Sequence, residues 1–113
     1  MSYRIYLSEG FQKRAKRLSK KFPSLKEELL KLIQNLENNP LEGTSMGNGF
    51  YKIRLAVKSK GTGKRGGLRI VTYVYIIKES VVLFTIYDKS EQTDVTDKEL
   101  KAFLNELPDI LED

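Results

Sequence analysis

The amino-acid sequence predicts an α+β fold in which a small antiparallel sheet carries helices on one face. Two stretches with helical spacing of apolar residues precede three stretches in which apolar and polar residues alternate, and a third helical stretch follows. Helices and strands that are grouped in this way are typical of α+β domains. The predicted order is β-α-α-β-β-β-α, and a chain of 113 residues has the length of a single domain, here residues 1–113.

The N-terminal elements are a predicted strand and a helical hairpin. Apolar and polar residues alternate over residues 3–7, and Ser8 is suited to cap the helix that follows. Two amphipathic helices are predicted on either side of Pro23, and Ser24 with Glu27 has the spacing of a capping box at the start of the second. Their apolar stripes are Phe11, Ala15, Leu18 and Phe22, then Leu25, Leu29, Leu32, Ile33 and Leu36.

The central part predicts a three-stranded antiparallel meander after a glycine-containing connector at residues 41–49. The three strands cover residues 50–57, 68–77 and 81–87. A last helix is predicted to begin at a capping box formed by Thr96 and Glu99. It is predicted to end at Pro108, because proline lacks the backbone N–H that continues a helix.

One face of the predicted sheet collects positive charge. When the apolar residues of the three strands are buried together, six other side chains share the opposite face: Lys52, Arg54, Arg69, Tyr73, Tyr87 and Lys89. A three-residue loop at 78–80 would place Arg69 opposite Lys89 and Val71 opposite Tyr87. A solvated face is the simplest interpretation. The strands place no acidic residue on it, however, and arginines beside tyrosines suit phosphates and unpaired RNA bases.

Charge is distributed unevenly along the chain. The net charge is +5, but residues 1–90 carry +11 and residues 91–113 carry −6. A strongly basic body favours a polyanionic partner such as RNA. A glycine-rich segment before the second central strand adds four cations that are predicted to make adaptable phosphate contacts: Lys58, Lys60, Lys64 and Arg65. Its G-x-G-x-x-G spacing does not predict a dinucleotide site, because a strand follows it where that site needs a helix.

Composition excludes several classes of chemistry. The chain has no cysteine and no histidine, which excludes disulfides and thiolate metal sites and disfavours zinc. No apolar run has the length of a secretory signal or a membrane span, so we expect no membrane partner and a cytoplasmic location. Chemistry without a metal ion is the enzymatic option that the residues support.

RNA can be cleaved without a metal ion because its 2′-hydroxyl is the nucleophile. The reaction needs a base for that hydroxyl, positive charge around the phosphate, and a proton for the departing 5′-oxygen. Arg54 and Arg69 are predicted to stabilise the transition state. Lys52 and Lys89 are predicted to bind phosphate or transfer a proton, and Tyr87 to act as acid, base or stacking platform. Phosphate binding without catalysis explains the same residues.

Three segments, K-I-R-L, G-G-x-R and I-Y-D-K-S-E, carry a family resemblance. In this order they resemble the RelE/ParE toxin superfamily, and most closely its RelE/HigB-like mRNA interferases. The resemblance implies a RelE-like fold and a toxin that cleaves mRNA in the ribosomal A site without a metal or small-molecule cofactor. It also implies a cognate antitoxin that neutralises the toxin, and active-site roles for Lys52, Arg54, Arg69 and Lys89.

The chain departs from that family at two positions. Ser90 stands where some RelE toxins have a further arginine, and Thr96 stands where a functional tyrosine falls. Two alternatives therefore stay open. One is a ParE-like inhibitor of DNA gyrase, and the other is a non-catalytic RNA-binding module on the same fold.

Overall fold

A computed structural model describes residues 2–61, 66–92 and 94–111, which form a five-stranded sheet and three α-helices. The elements are β1 (Arg4–Leu7), α1 (Glu9–Lys21), α2 (Leu25–Asn38), β2 (Thr44–Gly47), β3 (Phe50–Leu55), a 3₁₀ turn (Lys58–Lys60), β4 (Leu68–Tyr75), β5 (Ser80–Asp88) and α3 (Asp97–Leu111). The strand order across the sheet is β1-β5-β4-β3-β2. None of the helices in the described ranges is long and apolar enough to cross a membrane.

The α+β class and the predicted elements are confirmed, but the sheet differs from the prediction in two ways. The predicted connector 41–49 contains β2, which pairs antiparallel with β3 at the edge of the sheet. The sheet is mixed and not wholly antiparallel, because β1 pairs parallel with β5. Local alternation predicts a strand but carries no information about the direction of a partner far along the chain.

The helical hairpin covers one face of the sheet. Ser8 caps α1 as predicted, since its hydroxyl accepts the backbone N–H of Phe11 at 3.0 Å. The predicted Ser24–Glu27 capping box is wrong, because the Ser24 hydroxyl donates to the Glu28 carboxylate at 3.0 Å instead. The core on this face combines the helical stripes with strand residues, among them Phe11, Leu18, Leu25, Leu36, Ile53, Ile70, Leu83 and Ile86.

The third helix covers part of the opposite face, so the prediction that all helices share one face is wrong. The second core on that face includes Phe50, Val71, Val82, Phe103, Leu107 and Leu111. Apolar residues point to both faces of β4 and β5, and a sheet that is apolar on both faces needs cover on both.

Helix α3 begins as predicted and ends later. Thr96 and Glu99 form the capping box, in which the Thr96 hydroxyl accepts the Glu99 N–H and the Glu99 carboxylate accepts the Thr96 N–H, each at 3.1 Å. The prediction that Pro108 ends the helix is wrong, because α3 continues to Leu111. Leu111 is buried in the second core, and this packing favours the additional turn.

The register between β4 and β5 differs from the prediction, yet Tyr87 lies on the predicted face. Tyr75 pairs with Ser80, so the turn covers residues 76–79 and not 78–80. The register then shifts by one residue between Val71 and Thr72, and Arg69 lies opposite Tyr87, not Lys89. The pairing of Tyr75 with Ser80 differs from the predicted register by an odd number of residues, which alone would turn the β5 side chains to the opposite face. The one-residue shift between Val71 and Thr72 turns them back. Tyr87 therefore shares the face of Arg69, as predicted.

Candidate active site

Four of the predicted site residues lie together on the sheet face that also carries α3. Arg54 on β3 pairs with Arg69 on β4, and Arg69 pairs with Tyr87 on β5. Lys52 lies two residues before Arg54 on the same strand and therefore on the same face. Directly paired residues place their Cβ atoms about 4.5–5.5 Å apart. Three neighbouring strands thus bring two guanidinium groups and a phenol into one row.

The four side chains differ in their access to solvent. Arg54 is exposed, and the Lys52 side chain is 26% exposed. Arg69 and Tyr87 are buried, with relative exposures of 4% and 2%. The Arg69 guanidinium lies 3.5 Å from the carbonyl oxygens of Gly67 and Leu68. Because arginine keeps its charge when buried, Arg69 is a fixed cation beneath this face.

Asp94 supplies a negative charge to this face that the sequence pattern did not predict. It lies between β5 and α3, and one carboxylate oxygen accepts a hydrogen bond from Lys52 Nζ at 2.8 Å. The other oxygen accepts the Tyr87 hydroxyl at 3.3 Å and the Val95 N–H at 2.8 Å. The hydrogen bond from Lys52 lowers the pKa of Asp94, burial opposes that change, and Val95 adds to it. Asp94 is therefore a carboxylate that joins Lys52 to Tyr87.

Tyr87 is held as a neutral phenol. Burial first, and then the charge and hydrogen bond of Asp94, raise the pKa of Tyr87 from 10.0 to about 12. The nearby Arg69 guanidinium acts in the opposite direction but does not offset these effects. A phenol with this pKa stays protonated at neutral pH, so Tyr87 is a hydrogen-bond donor, as in its contact with Asp94.

The basic segment after β3 is anchored to the hairpin, at least in the part that the structure describes. Glu28 accepts the Lys58 N–H at 2.8 Å, and the Ser24 hydroxyl accepts the Ser59 N–H at 3.0 Å. These contacts fix the 3₁₀ turn to the start of α2. The predicted adaptable loop therefore begins as an ordered turn, which exposes Lys58 at a defined place.

Lys60 of that turn forms an ion pair with Asp88 at the end of β5. Lys60 Nζ lies 3.5 Å from an Asp88 oxygen, which also accepts the Ser90 N–H at 3.0 Å and the Ser90 hydroxyl at 2.9 Å. Burial alone would raise the pKa of Asp88, but the bonds from Ser90 and the Lys60 charge outweigh it, so the pKa is lowered. The pair joins the turn after β3 to the turn after β5.

The remaining predicted residues lie elsewhere. Lys89 follows the end of β5 and is exposed in a turn. The Tyr73 ring contacts the rings of Phe50 and Phe103, with centroids 5.1 and 6.0 Å away, so it packs beneath α3. Tyr73 is four residues from Arg69 along β4, a separation of about 13 Å. Lys64 and Arg65 lie outside the described residues.

Comparison with known proteins gives a family and a fold. The model of a family described as the RelE toxin of the RelE/RelB toxin–antitoxin system matches residues 3–110. A free-state structure of a double arginine-to-alanine mutant of the E. coli toxin RelE is 20% identical, with a TM-score of 0.61, and the match covers 82% of this chain and 90% of that one. A crystal structure of the isolated E. coli RelE toxin is 19% identical, with a TM-score of 0.56 and coverage of 92% and 98%. At these identities the structures are evidence of a shared fold.

Proposed function

Because the chain belongs to the RelE toxin family of toxin–antitoxin systems, we propose that it is a metal-independent endoribonuclease that cleaves mRNA on translating ribosomes. The observation that carries the proposal is the row of Arg54, Arg69 and Tyr87 beside Lys52 on one sheet face. A cognate antitoxin is the proposed neutralising partner, the cytoplasm the proposed location, and the ribosomal A site the proposed place of cleavage.

The row suits the chemistry of RNA cleavage. The 2′-hydroxyl gives its proton to a base, for which Lys89 is the proposed group, and its oxygen attacks phosphorus as the bond to the 5′-oxygen breaks. Negative charge then grows on the phosphate oxygens, and Arg54 and Arg69 would stabilise it. Tyr87 would donate a proton to the departing 5′-oxygen, which agrees with its raised pKa of about 12.

The two lysines have different proposed roles. Lys52 and Tyr87 both donate hydrogen bonds to Asp94, which places them next to each other. The Lys52 ammonium group would hold the phosphate. Lys89 is exposed beyond β5 and is the proposed group for contact with the RNA backbone or for proton transfer. Lys58, on the ordered turn, would extend the phosphate-binding surface, and Lys60 would do so after release from Asp88.

Induction of the protein in translating cells, with mapping of RNA 5′ ends, tests the proposal. We expect codon-phased cuts that disappear in Arg69→Ala and fall strongly in Arg54→Ala. Arg54 is exposed, so its substitution removes a cation without opening the core. The matched control is Arg17→Ala, which removes an exposed arginine of α1 that pairs with Glu91. Cuts that persist in both site variants would contradict the proposal.

A non-catalytic RNA-binding module is the second candidate function. Thr96, at the position of a functional tyrosine in the family resemblance, is engaged in capping α3. A chain that lacks that tyrosine could retain phosphate binding and lose cleavage. Intact mRNA together with RNA binding would favour this candidate, whereas growth arrest with intact mRNA and DNA damage would favour a ParE-like action on gyrase.

A further inference from the structure

We propose that the Asp94 carboxylate occupies the position of an RNA phosphate between Lys52 and Tyr87, and that RNA must displace it to bind. The inference deepens the proposed function and rests on it, since the ligand is an RNA phosphodiester. It assigns Asp94 a role as an internal competitor of the substrate.

The contacts of Asp94 are those that a phosphate would make. One oxygen accepts from Lys52 Nζ at 2.8 Å, and the other accepts from the Tyr87 hydroxyl at 3.3 Å. A phosphodiester also has two free oxygens, and it prefers the same ammonium and hydroxyl donors. The carboxylate therefore occupies the same two donors that the proposed function assigns to the phosphodiester.

The exposures of the three side chains place the Asp94 carboxylate on the solvent side of Lys52 and Tyr87, from which RNA would approach. The Asp94 side chain is 52% exposed, whereas that of Lys52 is 26% exposed and the Tyr87 residue 2%. A phosphate that approaches from solvent thus meets a negative charge before it meets Lys52, and like charges repel. An ion pair this exposed is weak, so displacement by RNA is feasible.

A purely structural role for Asp94 makes a different prediction. The oxygen that faces Tyr87 also accepts the Val95 N–H, which fixes the chain just before α3. If this were the sole role of Asp94, removal of its charge would leave RNA affinity unchanged or reduce it. Asp94→Asn separates the two roles, because asparagine keeps an oxygen that accepts from Val95 and Tyr87 but has no charge.

The experiment measures binding of a short oligoribonucleotide whose riboses are all 2′-O-methylated, which prevents cleavage, by fluorescence anisotropy. Asp94→Asn should bind roughly two- to fivefold more tightly than the unsubstituted protein, from the usual strength of an exposed ion pair. Glu91→Gln is the matched control, because Glu91 lies in the same connection between β5 and α3 as Asp94. The Glu91 carboxylate pairs with Arg17 at 3.6 Å and not with Lys52. Glu91→Gln should bind as the unsubstituted protein does.

A second comparison, of Lys52→Met with the double variant Lys52→Met/Asp94→Asn, tests whether Asp94 competes with RNA for Lys52. In a Lys52→Met background, the gain from Asp94→Asn should shrink, because the ion pair is already absent. Equal or weaker binding by Asp94→Asn, an equal gain in Glu91→Gln, or no binding by any of these proteins would overturn the inference.

Cleavage of mRNA on ribosomes is scored separately in the unsubstituted protein. Tighter binding by Asp94→Asn without any cleavage would support competition between Asp94 and RNA and contradict the proposed nuclease activity. Cleavage without tighter binding would contradict the competition and support the nuclease activity.

Discussion

Tyr87 makes folding stability depend on alkaline pH. Its pKa of about 12 comes first from burial and then from Asp94, with Glu99 adding and Arg69 opposing. Folding favours the neutral phenol, so this stability is fully present below pH 10 and is lost as the pH rises from 10 to about 12. Tyr87→Phe should reduce the loss of unfolding free energy over that interval, as measured by urea denaturation. The same loss in both proteins would show that Tyr87 is not the titrating group.

The Asp88 carboxylate offers a second test at the level of one side chain. Asp88→Ala removes the acceptor of both Ser90 bonds and the partner of Lys60, and should lower the free energy of unfolding by about 1–3 kcal/mol. Asp88→Asn keeps an acceptor for Ser90 and removes only the charge, so its loss should be smaller. Urea denaturation at neutral pH measures both variants. Equal losses would mean that the ion pair, and not the hydrogen bonds, fixes this turn.

Most of the elements could be predicted because their burial imposes a period on the sequence. Helices α1 and α2 each bury one stripe, and β3 alternates apolar and polar residues. Strands β4 and β5 are buried on both faces, and their runs of β-branched and aromatic residues indicate strands without a strict alternation. Strand β2 has four residues at the edge of the sheet, most of them exposed, and ends at Gly47. An edge strand that buries little has no alternation to read, so 41–49 could be predicted only as a connector.

In the candidate site, too, the residues on regular strands could be predicted and the residue in an irregular connection could not. Lys52, Arg54 and Arg69 could be assigned to one face because alternation along a strand fixes the face of every residue. Asp94 could not be assigned, since it lies 42 residues from Lys52 in a connection without periodicity. The acidic composition of residues 91–113 is a signal that could have indicated a negative partner for the basic face, but it does not identify Asp94.

The capping box of α3 should contribute to stability without a part in the chemistry. Thr96→Ala removes the acceptor for the Glu99 N–H and should cost about 1 kcal/mol of unfolding free energy. Thr96→Ser keeps the hydroxyl and should cost less. Thermal denaturation measures the stability of both variants, and the mapped RNA cuts should stay unchanged in Thr96→Ser. A loss of cuts in a stable Thr96→Ser protein would give the position a functional role.

The whole molecule places acidic and basic segments against one another. Helix α3 lies on the same sheet face as the cationic row, and the connection before it supplies Asp94 to Lys52 and Glu91 to Arg17. The C-terminal acidic segment therefore offsets part of the basic surface from within the chain. The same helix closes the second core, so the sheet is a layer shared by two apolar clusters.

A shared sheet should make the two cores unfold together. Phe103 is 1% exposed, and its ring centroid lies 4.3 Å from that of Phe84. Phe103→Ala should therefore lower the free energy of unfolding by about 3–5 kcal/mol. Leu104→Ala, on the same helix and 39% exposed, is the control and should cost less than about 1 kcal/mol. Far-UV circular dichroism follows the helices during urea unfolding. Tyrosine fluorescence reports mainly on the α3 face, where Tyr6, Tyr73, Tyr75 and Tyr87 lie, while Tyr3 and Tyr51 pack on the other face. Phe103→Ala should shift both transitions equally, because loss of the second core removes support from the sheet on which α1 and α2 pack. A fluorescence transition that moves to lower urea while the helical signal stays in place would show instead that the two cores unfold independently.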